Sequence, residues 1–266
     1  MSDAEQSLIE TAAILAGGRG TRLGALAGGM PKGFLALGHR PIVQESIEKL
    51  IDCGISRIVI GTGFGAQHYD QLADLYTQVH CIRNEEYAHS GSMRTLYQLR
   101  DVLTDRFLLL ESDLIYERAA LEAFVRSDSD DVILASDFTS SGDEVYIEAD
   151  QSSNLVAMSK DPLALSHVDA ELVGICSISP KAYSAMCDFA GDVFEHTLQL
   201  DYEAALVGIA GEAPIRVLRV DGLAWAEIDD ESHLHRAREL VYPEILRRDG
   251  GSPDAEERED RLCASG

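Results

Sequence analysis

The sequence predicts an α/β protein built on a largely parallel, doubly wound sheet, and three observations carry that reading. The 266 residues are 45% apolar, enough for one sizeable domain with a well-buried core. The apolar runs Thr11–Ala16, Arg57–Thr62, Arg106–Glu111 and Asp131–Ser136 have the length and bounds of buried strands. Helical patterns around Pro41–Cys53, Ser92–Leu103 and Glu117–Val125 separate them, and strands that alternate with helices pair in parallel through crossovers.

Taken in order, Thr11–Ala16 opens the sheet and runs into a glycine-rich stretch; the helix Pro41–Cys53 follows, with Gly54 as its C-cap. After Ser136 the rhythm breaks. Glu144–Glu148, Asn154–Met158 and Glu171–Ser177 come without long helices between them, which predicts antiparallel strands added to the sheet. Helices are expected at Pro180–Phe189 and Tyr202–Ile209, strands at Ile215–Val220 and Ala224–Ile228, and a last helix from about Glu231. From Arg247 onward "RRDGGSPDAEEREDRLCASG" has almost no apolar residues and cannot offset its ordering entropy, so residues 1–246 are expected to form the domain and 247–266 an acidic linker or tail.

Charge narrows the partners. The 22 Lys+Arg against 46 Asp+Glu leave a net charge of −24, which repels nucleic-acid phosphates and anionic membranes, so an anionic ligand must be held by a local exception. There is no signal-peptide pattern and no run of the ~20 apolar residues a membrane span needs, so a cytoplasmic protein is expected. The 5 cysteines show no C-x-x-C spacing; neither a disulfide framework nor a zinc site is supported, and most are expected to be small core residues.

The local exception to the acidity is "LAGGRGTRLGALAGGMPKGF", residues 15–34. A bare backbone after a strand lets amide groups point at one spot and approach a phosphate, while Arg19, Arg22 and Lys32 add positive charge. It is not a P-loop, which needs a Gly-Lys pair, nor a Rossmann fingerprint, since Leu23 stands at the third glycine position.

The full string L-A-G-G-x-G-T-R-L followed by M-P-K resembles the signature of nucleotidyltransferases that activate sugars and small phosphorylated alcohols. With "NEEYAHSGSMRTLYQLRD", "LLLESDLIYE", "GDEVYIE", "MSKD", "ELVGICSIS" and "WAEIDDESHL", residues 11–240 resemble the phosphocholine and phosphonate cytidylyltransferases, most of all the 2-hydroxyethylphosphonate cytidylyltransferase domains of fosfomycin biosynthesis, which are fused to a phosphoenolpyruvate mutase domain. The resemblance implies a three-layer α/β/α, Rossmann-like fold with a mixed, mostly parallel central sheet. It also implies CTP and a small phosphonate as substrates, Mg²⁺ as cofactor and release of pyrophosphate; the tail would then be the linker to a second catalytic domain. Alternatives are a 2-aminoethylphosphonate or phosphocholine acceptor, a sugar-1-phosphate nucleotidyltransferase, or a nucleotide-binding module without catalysis.

On that reading Leu15, Ala16, Gly17, Gly18, Gly20 and Thr21 form the nucleotide loop, with Arg22 and Lys32 on the triphosphate and Lys160 of "MSKD" between acceptor and α-phosphate. Gly91, Ser92 and Thr95 of "SGSMRTL" are the candidates for holding cytosine, against the alternative of an ordinary polar helix start. Asp113 closes a buried strand at the end where open α/β sheets bind ligands, against the alternative of a helix N-cap. Glu227 and Asp229 lie two apart and share a strand face, and by the resemblance Asp229 is chosen with Asp113 as the Mg²⁺ pair. Asp143 and Glu144 read as a solvated turn, or as contacts to an acceptor's amine or hydroxyl. Lys49, four residues after Glu45, reads as a helical ion pair. The eight histidines form no metal constellation.

Overall fold

The computed structural model describes residues 9–20, 22–23 and 28–250. Strand β1 (Thr11–Ala16) is buried along its whole length and pairs in parallel with β2 (Arg57–Thr62) on one side and β4 (Phe107–Glu111) on the other. Strand β3 (Val79–Arg83) extends the parallel run beyond β2. Successive side chains of a strand point to opposite faces, so a strand that is apolar throughout needs cover on both. Ala13 and Leu15 enter one core, closed by α3 (Ser92–Tyr97), α5 (Pro180–Phe194) and α6 (Tyr202–Ile209). Ala12, Ile14 and Ala16 enter the other, closed by α1 (Ile42–Asp52), α2 (Ala66–Leu75) and α4 (Ala119–Val125). The three-layer fold follows from this division.

The expected antiparallel strands are present in the sheet. Strand β9 (Ala170–Ile178) lies inside the sheet, antiparallel to both β4 and β6 (Val132–Ser136), and all 9 of its residues are buried. Strand β7 (Tyr146–Ala149) pairs with β9, β8 (Leu155–Ser159) pairs with β7, and β10 (Arg216–Arg219) lies parallel to β6 at the edge. The register of β9 against β6 slips between Ile133 and Ala135, and Gly174 in this bulge has φ 85°, a conformation that suits glycine. A Cβ at Gly174 would lie 3.7 Å from the Glu111 carboxyl carbon, so the bulge runs directly beneath that side chain.

After β4 the chain stays extended as β5 (Leu114–Tyr116) instead of entering a helix at once. Its partner comes from far along the sequence: β11 (Trp225–Glu227) pairs with it antiparallel, and the Ile228 N–H donates to the Asp113 carbonyl at 3.1 Å. A third core, with Ile115, Ala226, Ile228, Leu234 and Ile245, lies under this ribbon and is covered by α7 (Glu231–Arg236) and α8 (Tyr242–Arg248), with a π-helical turn between them. The packed unit reaches past the expected boundary at 246: α8 runs to Arg248, and Asp249 accepts the Arg118 N–H at 2.8 Å and pairs with Lys49 at 3.0 Å. Lys49 therefore belongs to this latch, and Glu45 accepts the Tyr242 hydroxyl instead. Of the four described cysteines, all free, Cys176 is fully buried, Cys187 and Cys81 are partly buried against the two cores, and Cys53 is exposed. Among the described residues no helix is long and apolar enough to cross a membrane.

Candidate functional site

The carboxyl ends of β1 and β4 open into a cavity of about 420 Å³. Leu15, Gly17, Gly18 and Gly20 line it from the glycine-rich turn, with Arg22 and Lys32 beside them. Ala16 does not reach it, because the alternation of β1 sends its side chain into the opposite core. Thr21 lies outside the described residues, and Arg19 is exposed. Gly20 has φ 57°, and a Cβ there would sit 2.7 Å from Lys32 Cγ. The missing side chain is what lets the Lys32 stem lie across the turn.

Around this turn, cations and carboxylates alternate. Lys32 Nζ donates to Asp113 Oδ2 at 3.0 Å and also to Asp229 Oδ1, bridging the two aspartates. Arg22 joins Asp229 at 2.9 Å to Asp143 at 2.7 Å, and Asp143 also takes Lys160 Nζ at 2.8 Å. Burial alone would lower the Lys32 pKa, but Asp113 and Asp229 reverse that and hold it above the ordinary lysine value, so the amine is charged. Burial pulls Asp143 upward; hydrogen bonds, including those from Lys160 and Arg22, win and keep it well below the usual carboxylate range. Asp143 is thus neither a solvated turn residue nor free for an acceptor: it ties two cations together.

Behind Lys32 the acidic side chains crowd. Glu111, Asp113 and Glu227 each offer a carboxylate oxygen, all within 4.8 Å of one another. Burial raises the carboxyls of Glu111, to about 8, and of Glu227, to about 11, and the neighbouring acids push in the same direction. This donor set, all carboxylate oxygen, suits a hard divalent ion that also binds phosphate. The residues therefore fit Mg²⁺, with Asp113 in both the expected pair and the trio and Asp229 facing it across Lys32. The ribbon explains the convergence: pairing of Glu227 with Leu114 brings the second acidic segment against the first.

On the other wall, Gly91, Ser92 and Thr95 all line the cavity at the start of α3. The Ser92 hydroxyl is committed to structure, donating to Asp201 Oδ1 at 3.2 Å and accepting the Tyr202 N–H at 2.9 Å, which ties α3 to α6. Thr95 is positioned by a residue that the sequence reading missed. Fully buried Asn84 donates to Thr95 Oγ1 at 3.0 Å and to Ser90 Oγ at 3.1 Å, and accepts the Glu86 N–H at 3.0 Å. Glu203, on the first turn of α6, also lines the cavity and was missed. A recognised β3 would have placed Asn84 at a strand's carboxyl end; Glu203 carries no local signal.

A 2-aminoethylphosphonate cytidylyltransferase of Lancefieldella rimae is 24% identical over 252 residues, covering 92% of this chain and 97% of its own. A CMP-5'-(3-aminopropyl)phosphonate synthase of Streptomyces rubellomurinus is 24% identical over 242 residues, 85% of this chain but 38% of its own length. Among solved structures, the inositol-1-phosphate CTP transferase from T. maritima superposes with a TM-score of 0.76 at 18% identity, covering 92% of this chain and 98% of that one, a likeness of fold. The model of the MobA-like NTP transferase domain matches residues 12–170, from β1 into β9 and so through the glycine-rich turn, Lys32, Asp113 and Lys160, and the chain belongs to that family.

Proposed function

We propose that this protein is a cytidylyltransferase, transferring CMP from CTP to a small phosphonate with release of pyrophosphate. The observation that carries the reading is the ladder of Lys32, Arg22 and Lys160, held by Asp113, Asp229 and Asp143 at the rim of a cavity floored by glycine backbone. It supplies what joining two anions requires. A phosphonate oxygen is already largely anionic, its second pKa lying near ~6 as for phosphates, so no strong base is needed and catalysis reduces to positioning and charge neutralisation.

In this reading the glycine-turn amides, Arg22 and Lys32 hold the triphosphate, and the oxygen attacks the α-phosphorus in line with the departing pyrophosphate. Lys160 screens the incoming anion. Asn84 fixes Thr95 against the cytosine, and the narrow slot beside Gly91 suits a pyrimidine. Asp113 and Asp229, with Glu111 and Glu227, are the residues that would hold Mg²⁺, which when bound neutralises phosphate charge. The sequence resemblance favours 2-hydroxyethylphosphonate as acceptor, while two of the relatives bear the names of aminoalkylphosphonate enzymes. The test is pyrophosphate release with CTP and Mg²⁺ across small phosphonates and phosphomonoesters. Equal or better turnover of UTP or dTTP with glucose-1-phosphate would sink the proposal in favour of a sugar nucleotidyltransferase.

A further inference from the structure

Several acids at the far side of the cavity have hydrogen-bond donors of their own. Glu171 accepts the Thr139 N–H at 2.6 Å and its hydroxyl at 2.8 Å. Glu144 accepts the Gly142 N–H at 3.1 Å, and Glu111 accepts the Tyr202 hydroxyl at 2.8 Å. Glu203 differs: one carboxylate oxygen is served by its own backbone N–H, while Oε2 is buried with no hydrogen-bond partner. A buried polar atom left unpaired costs ~1–3 kcal/mol, more when charged. The favourable field at the start of α6 accounts for an acid at this position. It does not satisfy Oε2.

Glu203 lines the 420 Å³ cavity and also a smaller one of about 60 Å³ that adjoins it behind Lys160 and Asp143. At about 60 Å³ against 420 Å³, the smaller space is a narrow extension of the main cavity, which suits a short polar arm. Building on the cytidylyltransferase reading, we infer that Glu203 is a specificity-determining residue that receives a primary ammonium at the far end of the acceptor, making a short aminoalkylphosphonate the preferred substrate. An alkylammonium, with a pKa near ~10, is charged at neutral pH and brings both the missing donor and a countercharge. A hydroxyl brings only the donor, into a region where carboxylates outnumber cations. A quaternary ammonium has no N–H to offer and favours aromatic faces, of which the smaller cavity has one, Trp225.

The test measures kcat and KM with CTP and Mg²⁺ for 2-aminoethylphosphonate, 2-hydroxyethylphosphonate and phosphocholine, in the wild type, Glu203→Gln and Glu203→Asp. The wild type should prefer the amine. In Glu203→Gln the ratio of kcat/KM for amine over hydroxyl should fall by about 10- to 100-fold, the value of one charge-assisted hydrogen bond, mainly through KM of the amine. Glu203→Asp should recover part of that ratio, which a purely structural role would not produce. An unchanged ratio in Glu203→Gln, or a wild type that prefers the hydroxyl compound, overturns the role of Glu203 while leaving the cytidylyltransferase reading standing. Failure of CTP with all three acceptors overturns both.

Discussion

Replacing Lys32 by Met removes one charge and keeps the stem that lies across Gly20. Two consequences of different kind should follow. The Lys32, Asp113 and Asp229 side chains are only 16%, 12% and 3% exposed, so the lost ammonium leaves two buried carboxylates facing each other. Breaking a buried pair from one side costs ~3–5 kcal/mol. Taking about 3 kcal/mol, and ~2–4 °C per kcal/mol for a chain of this size, the midpoint without metal should fall by ~6–12 °C. The Lys32 pKa is raised, so its contribution is complete below the unfolded value of ~10.4 and fades only as pH rises through the folded value; an assay at pH 8 reads it in full. Added Mg²⁺ should recover more stability in the variant than in the wild type, because a cation then re-enters between the carboxylates. Turnover should not recover with it. Loss of one preorganised donor to the developing phosphate charge lowers kcat by about 10²-fold or more. Differential scanning fluorimetry with and without Mg²⁺, beside a pyrophosphate assay, separates the two effects. Near-normal kcat at any Mg²⁺ concentration would show that the triphosphate is held elsewhere.

Asp113→Asn and Asp229→Asn should each fold, lose most turnover and require more Mg²⁺, and the double variant should lose less than the sum of the two, since residues sharing one ion act as a unit; a single variant active at low Mg²⁺ would pass its role to Glu111 or Glu227. Asn84→Ala should raise KM for CTP more than it lowers kcat, and destabilise by ~1–3 kcal/mol, because the amide serves Thr95, Ser90 and Glu86 together; an unchanged KM would detach Thr95 from the base. Burial raises the Glu203 carboxyl to about 7 against an unfolded value of ~4.3. The unfolded chain therefore releases this proton first, and stability should fall as pH rises from ~4.3 to about 7, then level off. Glu203→Gln should flatten that part of the curve, and identical slopes in a pH series of thermal midpoints would rule it out.

What the sequence showed and what it hid divide along the range of the causes. Thr11–Ala16, Arg57–Thr62 and the glycine-rich turn are local: an apolar run of strand length needs cover on both faces, and a bare turn beside cations announces an anion. The position of β9 is not local. A continuous apolar run says that both faces are buried, but not which strands flank it, so the place of β9 between β4 and β6 could not be read from its residues. Strand β3 was missed because its residues, VHCIR, are half-exposed and lack either period. Leu114–Tyr116 reads equally as the entry to a helix, and only pairing with Trp225–Glu227, more than a hundred residues later, makes it a strand. Asp113 stands out locally because it closes an apolar segment, whereas the choice of Asp229 over Glu227 rests on the resemblance, and the trio of Glu111, Asp113 and Glu227 depends on the pairing of distant strands. Asn84 and Glu203 matter through partners that only the fold brings near them.

Asp143, too, matters through partners that the fold brings to it. As part of "GDEVYIE" it reads as a turn residue; in the structure it is the shared anchor of Arg22 and Lys160. Those two side chains are 53% and 58% exposed and long, and Asp143 restricts their rotamers, together with Asp229 in the case of Arg22. Holding both from one carboxylate orients them before any phosphate arrives. Asp143→Asn should cost little stability, since exposed pairs contribute ~0–1 kcal/mol. It should nonetheless lower kcat/KM about ten-fold, the equivalent of ~1.4 kcal/mol of rotamer freedom returned to the two cations. In a cycle with Lys160→Ala the losses should not add, because removing Lys160 already discards half of what Asp143 positions. Additive losses would mean that Asp143 acts apart from Lys160. A lower KM for CTP in Asp143→Asn would mean the reverse of preorganisation, with the carboxylate competing against the phosphates for the same two cations.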